Sequence, residues 1–282
     1  MREHDFFSGA KEKGIFVKVA FMAVGLIGIS IIAFVQKDWD LWLQRETAIF
    51  FDQISIEINP GKSPIDTLNP SSAYELAIKF TVKIYSENSW GSGFIVSERN
   101  GKYLVLTSKH LIESKKEYRV LTQDGILHNS KVIDYWQDQN ADVALLEFTN
   151  EEQEYATAIL PSLDSPSFQI GDKVFAAGFT NASDWTSPSQ FTLVEGEVVL
   201  ILNETLIDGY QIGSSNDLRT GMSGGPLLNS RGEVIGINGI GKYPLLVNAY
   251  IFSDGTLPSE EMIERMQELS WSIPLSEPVM FQ

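Results

Sequence analysis

Three short motifs carry the residue types that acyl-transfer chemistry uses. They are LTSKHL (106–111), in which a histidine follows an apolar run, NADVALL (140–146), in which an aspartate opens one, and TGMSGGP (220–226), in which a serine lies in a glycine-rich turn. The chain thus presents His110, Asp142 and Ser223 in that order. These residue types can supply a nucleophile, its base and the group that orients the base.

Each residue type has a defined task in such a site. A serine hydroxyl is a weak nucleophile until a base accepts its proton, and imidazole can accept and return a proton near neutral pH. A buried carboxylate fixes the tautomer of the imidazole and stabilises the imidazolium. Gly221 lets the backbone turn, so that its amide and that of Ser223 can face one oxyanion.

Each motif also has a purely structural explanation. A lone histidine after a strand is usually structural, and a lone aspartate before a strand is usually a turn or cap residue, whereas the glycine-rich serine turn is more specific. All three in this order favour a catalytic triad. The other histidines do not compete, because His128 matches no motif and is interpreted as structural, and His4 precedes an apolar run that separates it from the site.

Composition narrows the possible functions. The chain has 282 residues, 43% of them hydrophobic, and a formal net charge of −16, so a globular protein is expected and nucleic acid is disfavoured as a partner. The absence of cysteine excludes disulfide bonds, a cysteine nucleophile and cysteine-ligated metals. We expect no metal site and no cofactor.

The elements that must position the triad have the pattern of β-strands. Short runs rich in β-branched and aromatic residues lie at 81–86, 91–97, 103–108, 118–122, 131–136, 142–148, 172–179, 191–202, 209–214, 232–239 and 245–252. Turn pairs such as Asn100-Gly101 and Asp208-Gly209 separate several of them. Many short strands with few helices predict an all-β barrel or sandwich.

Helices are predicted at two places in this region. A short one should run over residues 73–77, with Ser72 as its cap and Glu75 at the capping-box spacing. A second should run over residues 259–269, because Pro258 precedes it and acidic residues open its first turn.

The N-terminal region has the pattern of a membrane anchor. Residues 15–35 are almost entirely apolar and would span roughly 31 Å as a helix, about the thickness of a hydrocarbon core. Basic residues precede this run and Trp39 and Trp42 follow it, which favours a cytoplasmic N-terminus and an extracytoplasmic remainder, in a periplasm or lumen. A cleaved signal peptide and a buried core helix are the alternatives.

The predicted organisation has four parts. They are a cytoplasmic N-terminus (1–14), a transmembrane anchor (15–35), a juxtamembrane helix and linker (36–72), and a catalytic domain with a C-terminal helix (73–282). The helical spacing within residues 38–58 suits a spacer, or alternatively a membrane-surface or dimerising helix. The sequence leaves the oligomeric state open.

The motifs GSGFIV, LTSKH, ADVALL and GMSGGPLLNSRGEVIGING resemble those of the trypsin-like (chymotrypsin-fold) serine peptidases, most closely the bacterial group. This resemblance covers about residues 80–252 and implies two perpendicular six-stranded β-barrels. It implies that His110 is the base, Asp142 the orienting acid and Ser223 the nucleophile. The amides of Gly221 and Ser223 would then form the oxyanion hole.

Substrate-binding positions follow from the same resemblance. Ile237, Asn238 and Gly239 would be the strand edge that pairs with the substrate backbone. Asp217 would lie at the base of the pocket for P1, the residue whose carbonyl is attacked, and would select a basic side chain. The alternative is that Asp217 is a turn residue neutralised by Arg219.

The sequence also departs from parts of the family's pattern. Met222 stands where zymogen-type members carry an acid, and Thr107-Ser108-Lys109 replaces the commoner small residues before the base. No PDZ-like domain is expected to follow. The resulting hypothesis is a membrane-anchored serine endopeptidase acting on proteins or peptides, with two alternatives: an inactive homologue that binds peptides or proteins, and an esterase.

Overall fold

A computed structural model describes residues 68–86, 89–112, 117–134, 141–161, 168–180, 190–244 and 250–275. The predicted membrane anchor and nearly all of the predicted juxtamembrane segment lie outside these residues. None of the helices in the described ranges is long and apolar enough to cross a lipid bilayer.

Six strands form the first β-barrel. They are β1 (Thr81–Tyr85), β2 (Trp90–Arg99), β3 (Lys102–Thr107), β4 (Tyr118–Leu121), β5 (Leu127–Asp134) and β6 (Ala144–Thr149). They pair antiparallel in the closed order β1-β2-β3-β6-β5-β4.

Six further strands form a second closed barrel. They are β7 (Lys173–Thr180), β8 (Gln190–Ile201), β9 (Ile212–Ser214), β10 (Pro226–Asn229), β11 (Val234–Ile240) and β12 (Ser270–Pro274). Their closed order, β7-β8-β9-β12-β11-β10, repeats the connectivity of the first barrel. The expected all-β fold with two six-stranded barrels is confirmed.

Apolar side chains fill the barrel interiors, and several strands are buried over consecutive residues, as in β6, where only Thr149 is exposed. One buried cluster belongs to the first barrel and includes Val82, Val105 and Leu146. A larger cluster draws on both barrels, since it contains Phe94 of β2 and Phe175 of β7. The barrels therefore share a continuous apolar core.

Two α-helices flank the barrels. Helix α1 (Pro70–Ala77) begins one turn earlier than predicted, because the side chain of Asn69, not Ser72, caps it. Ser72 instead occupies the third helical position and completes a reciprocal capping box with Asn69. Helix α2 (Glu260–Gln267) has Ser259 as its N-cap, close to the predicted bounds.

One predicted strand differs from the structure. Of residues 245–252, the first five lie outside the described ranges, and Phe252 forms an isolated bridge with Leu206. The twelfth strand is instead β12, which follows helix α2 directly.

Candidate active site

His110 lies in a short 3-10 helix, Lys109–Leu111, immediately after β3. The amide of Lys109 donates to the carbonyl of Asp142 at 3.2 Å, which ties this turn to the segment before β6. Leu111, the last residue of this 3-10 helix, has a buried side chain. The turn is thus anchored on the barrel while the His110 side chain remains partly exposed.

Asp142 holds His110 through both of its carboxylate oxygens. Oδ1 accepts the backbone amide of His110 at 2.7 Å, and Oδ2 lies 2.6 Å from the ring nitrogen Nδ1. The Asp142 side chain is buried whereas the imidazole is 45% exposed. This geometry fixes the orientation of the ring and leaves its Nε2 as the nitrogen that can serve a reacting group.

A third residue, which the sequence did not indicate, contacts the same carboxylate. The hydroxyl of Tyr210 donates to Asp142 Oδ2 at 2.6 Å. Burial, together with the negative charge of Asp142, raises the pKa of Tyr210 well above its usual range, so the phenol stays protonated and remains a donor. The Tyr210 ring also packs on Gly239, where any Cβ would overlap it.

Ser223 lies in the turn between Thr220 and β10. Gly221, with φ of +97°, and Gly224, with φ of +82°, adopt a conformation that L side chains rarely take. The turn is closed by hydrogen bonds of 3.0 Å from Met222 N to the Arg219 carbonyl and from Gly225 N to the Met222 carbonyl. Met222 is fully buried under it.

The amides of Gly221 and Ser223 are available to a ligand. Within the described part of the chain, neither of them donates a hydrogen bond to another group. An oxyanion placed between them would gain two donors that are already oriented.

Strand β2 supports this turn from the first barrel. Ser92 Oγ donates to the Gly221 carbonyl at 2.6 Å and accepts from Phe179 N at 2.8 Å, while Ser92 N donates to the Ser223 carbonyl at 2.9 Å. The ring of Trp90 lies against Gly221, so that a Cβ at this glycine would overlap it. Both barrels therefore fix the conformation of this turn, residues 220–225, which carries the predicted oxyanion donors and is named the oxyanion turn.

His110, Ser223, Gly221 and Gly239 line a single cavity of about 460 Å³. The remaining lining residues are Ser89, Trp90, Leu111, Leu218, Arg219, Thr220, Gly241, Lys242, Tyr243 and Pro244. Ser223 Oγ donates to the Gly239 carbonyl at 3.1 Å. The cavity is large enough for a side chain and part of its backbone.

The three predicted strand-edge residues differ in their position relative to the cavity. Ile237 and Asn238 are fully buried, and Ile237 pairs with β10 on one side and β12 on the other. Asn238 exchanges backbone hydrogen bonds with Gly224 and Gly225. Of the three predicted residues only Gly239 lines the cavity, together with Gly241 further along the chain.

Asp217 also lies away from the position expected for a P1 pocket. Its side chain is 64% exposed, does not line the cavity, and lies 3.5 Å from the guanidinium Nε of Arg219. The structure therefore favours the alternative interpretation of Asp217 as a turn residue paired with Arg219.

His128 belongs to a buried polar network in the first barrel. Its Nε2 lies 3.0 Å from the Tyr155 hydroxyl and 3.3 Å from Thr122 Oγ1, and its ring contacts Phe148. Tyr155 donates onward to Asp124 at 2.9 Å. In the described ranges, no group of three or more histidine, aspartate or glutamate side chains is placed to hold a metal ion.

Two closed six-stranded barrels, with a His–Asp pair on one and a serine in a glycine-rich turn on the other, define the class of trypsin-like serine peptidases. The trypsin-like peptidase domain family matches residues 91–237, just over half of the chain, and the chain belongs to this family.

Similar curated proteins include several HtrA-type proteases. The serine protease Do-like HtrA of Lactobacillus helveticus is 29% identical over 196 residues, covering 67% of this chain and 44% of the relative. The periplasmic pH-dependent serine endoprotease DegQ of Escherichia coli is 34% identical over 148 residues, covering 52% of this chain and 30% of the relative. Serine protease HTRA1 of Xenopus tropicalis is 35% identical over 153 residues, covering 52% of this chain and 30% of the relative. The chain thus spans less than half the length of these relatives.

Proposed function

We propose that this protein is a serine endopeptidase that cleaves proteins or peptides through an acyl-enzyme. The observation that carries the proposal is the 2.6 Å contact between His110 Nδ1 and Asp142 Oδ2 beside the cavity that Ser223 also lines. Membership in the trypsin-like peptidase family and similarity to proteins named serine proteases support it.

In the proposed mechanism, Ser223 Oγ leaves the Gly239 carbonyl and passes its proton to His110 Nε2 as it attacks the substrate carbonyl. Asp142 stabilises the imidazolium that forms without itself becoming protonated. The oxygen that gains negative charge receives hydrogen bonds from the amides of Gly221 and Ser223. His110 then protonates the leaving amine, and water hydrolyses the acyl-enzyme by the reverse sequence of proton transfers.

We further propose that the peptidase domain is held outside the cytoplasm by the apolar segment at residues 15–35. The basic residues before this segment and the tryptophans after it support that orientation. A reporter fused after Gln282 should then be active only outside the cytoplasm, and a carbonate wash should leave the protein in the membrane. Release by the wash would contradict an uncleaved anchor.

A fluorophosphonate probe tests the proposed activity directly. The probe should label the wild-type protein at Ser223 and leave Ser223→Ala unlabelled, and peptide hydrolysis should fall by about 10⁶-fold in that variant. Unchanged peptide cleavage by Ser223→Ala would overturn the assignment of the nucleophile.

The second candidate function is that of a peptide-binding module without turnover. The observation that supports it is the hydrogen bond from Ser223 Oγ to the Gly239 carbonyl. In this arrangement the hydroxyl donates to the strand that borders the cavity, so its proton is not directed to a base. Peptide binding without probe labelling would favour this function. Esterase activity is separated from peptidase activity by comparing the turnover of matched ester and amide substrates.

A further inference from the structure

The cavity beside Ser223 differs in charge from the protein as a whole. The chain carries a formal net charge of −16. Among the described residues, however, those that line this cavity include Arg219 and Lys242 but no aspartate or glutamate. The positive charge of this cavity, in a protein that is acidic as a whole, bears on the charge of the substrate side chain that binds there.

The two cationic residues come from neighbouring segments. One segment, Leu218–Thr220, leads into the oxyanion turn, and the other, Gly241–Tyr243, follows the strand that ends beside Ser223. The segments are packed together, because a Cβ at Gly241 would lie 3.1 Å from the Leu218 carbonyl oxygen. Both cations therefore belong to one continuous wall of the cavity, against which a side chain beside the attacked carbonyl would lie.

Both segments are anchored to the C-terminal part of the fold. Leu218 N donates to Ser270 Oγ at 3.4 Å, and Tyr243 N donates to the Gln267 carbonyl at 2.8 Å. Tyr243 has a positive φ of +48°, which is unusual for a residue with a large side chain. The hydrogen bond from its amide holds this wall of the cavity against the end of helix α2.

Among the residues that the structure describes, no acidic neighbour strongly neutralises either cation. The Arg219–Asp217 pair is 3.5 Å apart with both side chains largely exposed, so the pairing is weak. A guanidinium also has five N–H donors, so a single contact at Nε leaves donors for a ligand. No ion pair joins Lys242 to any residue in the described ranges.

We propose that the protein prefers substrates with an acidic side chain at P1, bound by Arg219 and Lys242. This inference rests on the proposed function and names its substrate class. The carboxylate would receive charge-assisted hydrogen bonds from both cations, and Leu218, Tyr243 and Pro244 would contact the methylene groups of a glutamate. The preference is opposite to the basic one that the position of Asp217 in the sequence predicts.

Peptidyl diphenyl phosphonates that differ only in the P1 side chain test the preference on the full-length protein. These probes label the nucleophilic serine, and glutamate, glutamine and lysine analogues separate charge from size. We expect the glutamate probe to label Ser223 about tenfold faster than the glutamine probe, and the lysine probe to be slower still. The ratio of glutamate to glutamine rates should shrink as salt is raised, since both cations are near solvent.

Substitutions of Arg219 and Lys242 test whether these two residues cause the preference for the glutamate probe. In Arg219→Gln combined with Lys242→Gln, the glutamate and glutamine probes should react at the same rate. Arg231→Gln is the matched control, because Arg231 also pairs with an acid two residues away, Glu233, but does not line the cavity. Asp217→Asn should raise the ratio of glutamate to glutamine rates by removing the competing carboxylate.

The outcomes separate this inference from the proposed function. Labelling of Ser223 by a plain fluorophosphonate, with no advantage for the glutamate probe or with an advantage that survives in the double variant, would overturn the acidic preference and leave the peptidase assignment intact. A preference for the lysine probe that is lost in Asp217→Asn would restore the basic pocket. Absence of plain fluorophosphonate labelling would overturn both proposals.

Discussion

Tyr210 joins the second barrel to Asp142 through a hydrogen bond of 2.6 Å. The oxygen that accepts this bond, Oδ2, is also the one that lies 2.6 Å from His110 Nδ1. Asp142 precedes β6 of the first barrel whereas Tyr210 precedes β9 of the second. The carboxylate is therefore held from both sides of the cleft, and the position of His110 depends on how the two barrels meet.

Replacing Tyr210 by phenylalanine should slow catalysis without removing it. The substitution deletes one of the contacts that fix the Asp142 carboxylate, so this carboxylate and the imidazole that it orients are less well positioned, and kcat/KM should fall by about tenfold. With one donor fewer, Asp142 would stabilise the imidazolium more strongly, so the acid limb of the pH–rate profile should move to higher pH. Steady-state kinetics across a pH series measures both effects.

A matched control for this variant is Tyr250→Phe. Tyr250 is also buried and donates its hydroxyl, but to the carbonyl of Met266 at the end of helix α2. Its substitution should affect stability and leave the pH–rate profile in place. An unchanged profile in Tyr210→Phe as well would mean that Tyr210 has only a packing role.

Asp142→Asn should reduce kcat by about 10⁴-fold, as the corresponding change does in the trypsin-type triad. An amide at this position can hydrogen bond to the imidazole but favours the wrong tautomer and carries no charge to stabilise the imidazolium. Labelling by fluorophosphonate should slow in parallel, because it also requires proton transfer from Ser223. A loss of less than tenfold would show that Asp142 does not orient the base.

Gly221→Ala should slow catalysis strongly by distorting the oxyanion turn. The alanine would have to adopt a φ of +97°, which is strained for a residue with a side chain. Its Cβ would also overlap the Trp90 ring. Relief of that overlap would move the Gly221 amide, and the loss of one oxyanion donor costs about 10²–10³-fold in kcat.

Gly125→Ala separates the oxyanion effect from backbone strain alone. Gly125 has a similar φ of +82°, but a Cβ there would meet nothing within 4 Å. This variant should be destabilised modestly and keep full activity per folded molecule. Equal kinetic losses in the two variants would contradict the proposed role of the Gly221 amide.

Local motifs allowed much of this architecture to be predicted from the sequence. Strand patterns identified most of the barrel strands, and the resemblance to the family implied that they close into two barrels. Tyr210 could not be identified in this way, because its role depends on a contact with Asp142, which is 68 residues earlier in the chain. The residue lies next to a turn pair and carries no motif of its own.

The strand predicted to pair with the substrate contains an irregularity that the sequence does not show. The pairing between β11 and β12 shifts register between Asn238 and Ile240, so Gly239 lies at a bulge. A bulge releases one residue from the ladder, and its position cannot be read from strand periodicity. The sequence therefore predicts the segment Ile237, Asn238 and Gly239 as a whole, and only the structure shows that Gly239 is the one of the three that lines the cavity.

His128 makes the stability of the first barrel depend on pH. Burial lowers the pKa of His128 below its ordinary value of 6.5, although the negative charge of Asp124 acts in the opposite direction. The folded protein therefore favours the neutral imidazole more than the unfolded chain does. As the pH falls below 6.5, the unfolded chain binds a proton first, so the free energy of unfolding decreases until the pH reaches the lower pKa of the folded state.

His128→Gln should remove this part of the pH dependence. Glutamine keeps a neutral polar group near the Tyr155 hydroxyl but cannot titrate, so other groups continue to respond to pH while the contribution of position 128 disappears. Urea unfolding of the full-length wild type and variant at pH 7.5 and pH 5.5 gives the two differences in unfolding free energy. The wild type should lose more stability than the variant over this interval, even if the variant is less stable at both values. Equal losses would show that His128 has the same proton affinity in the folded and unfolded states.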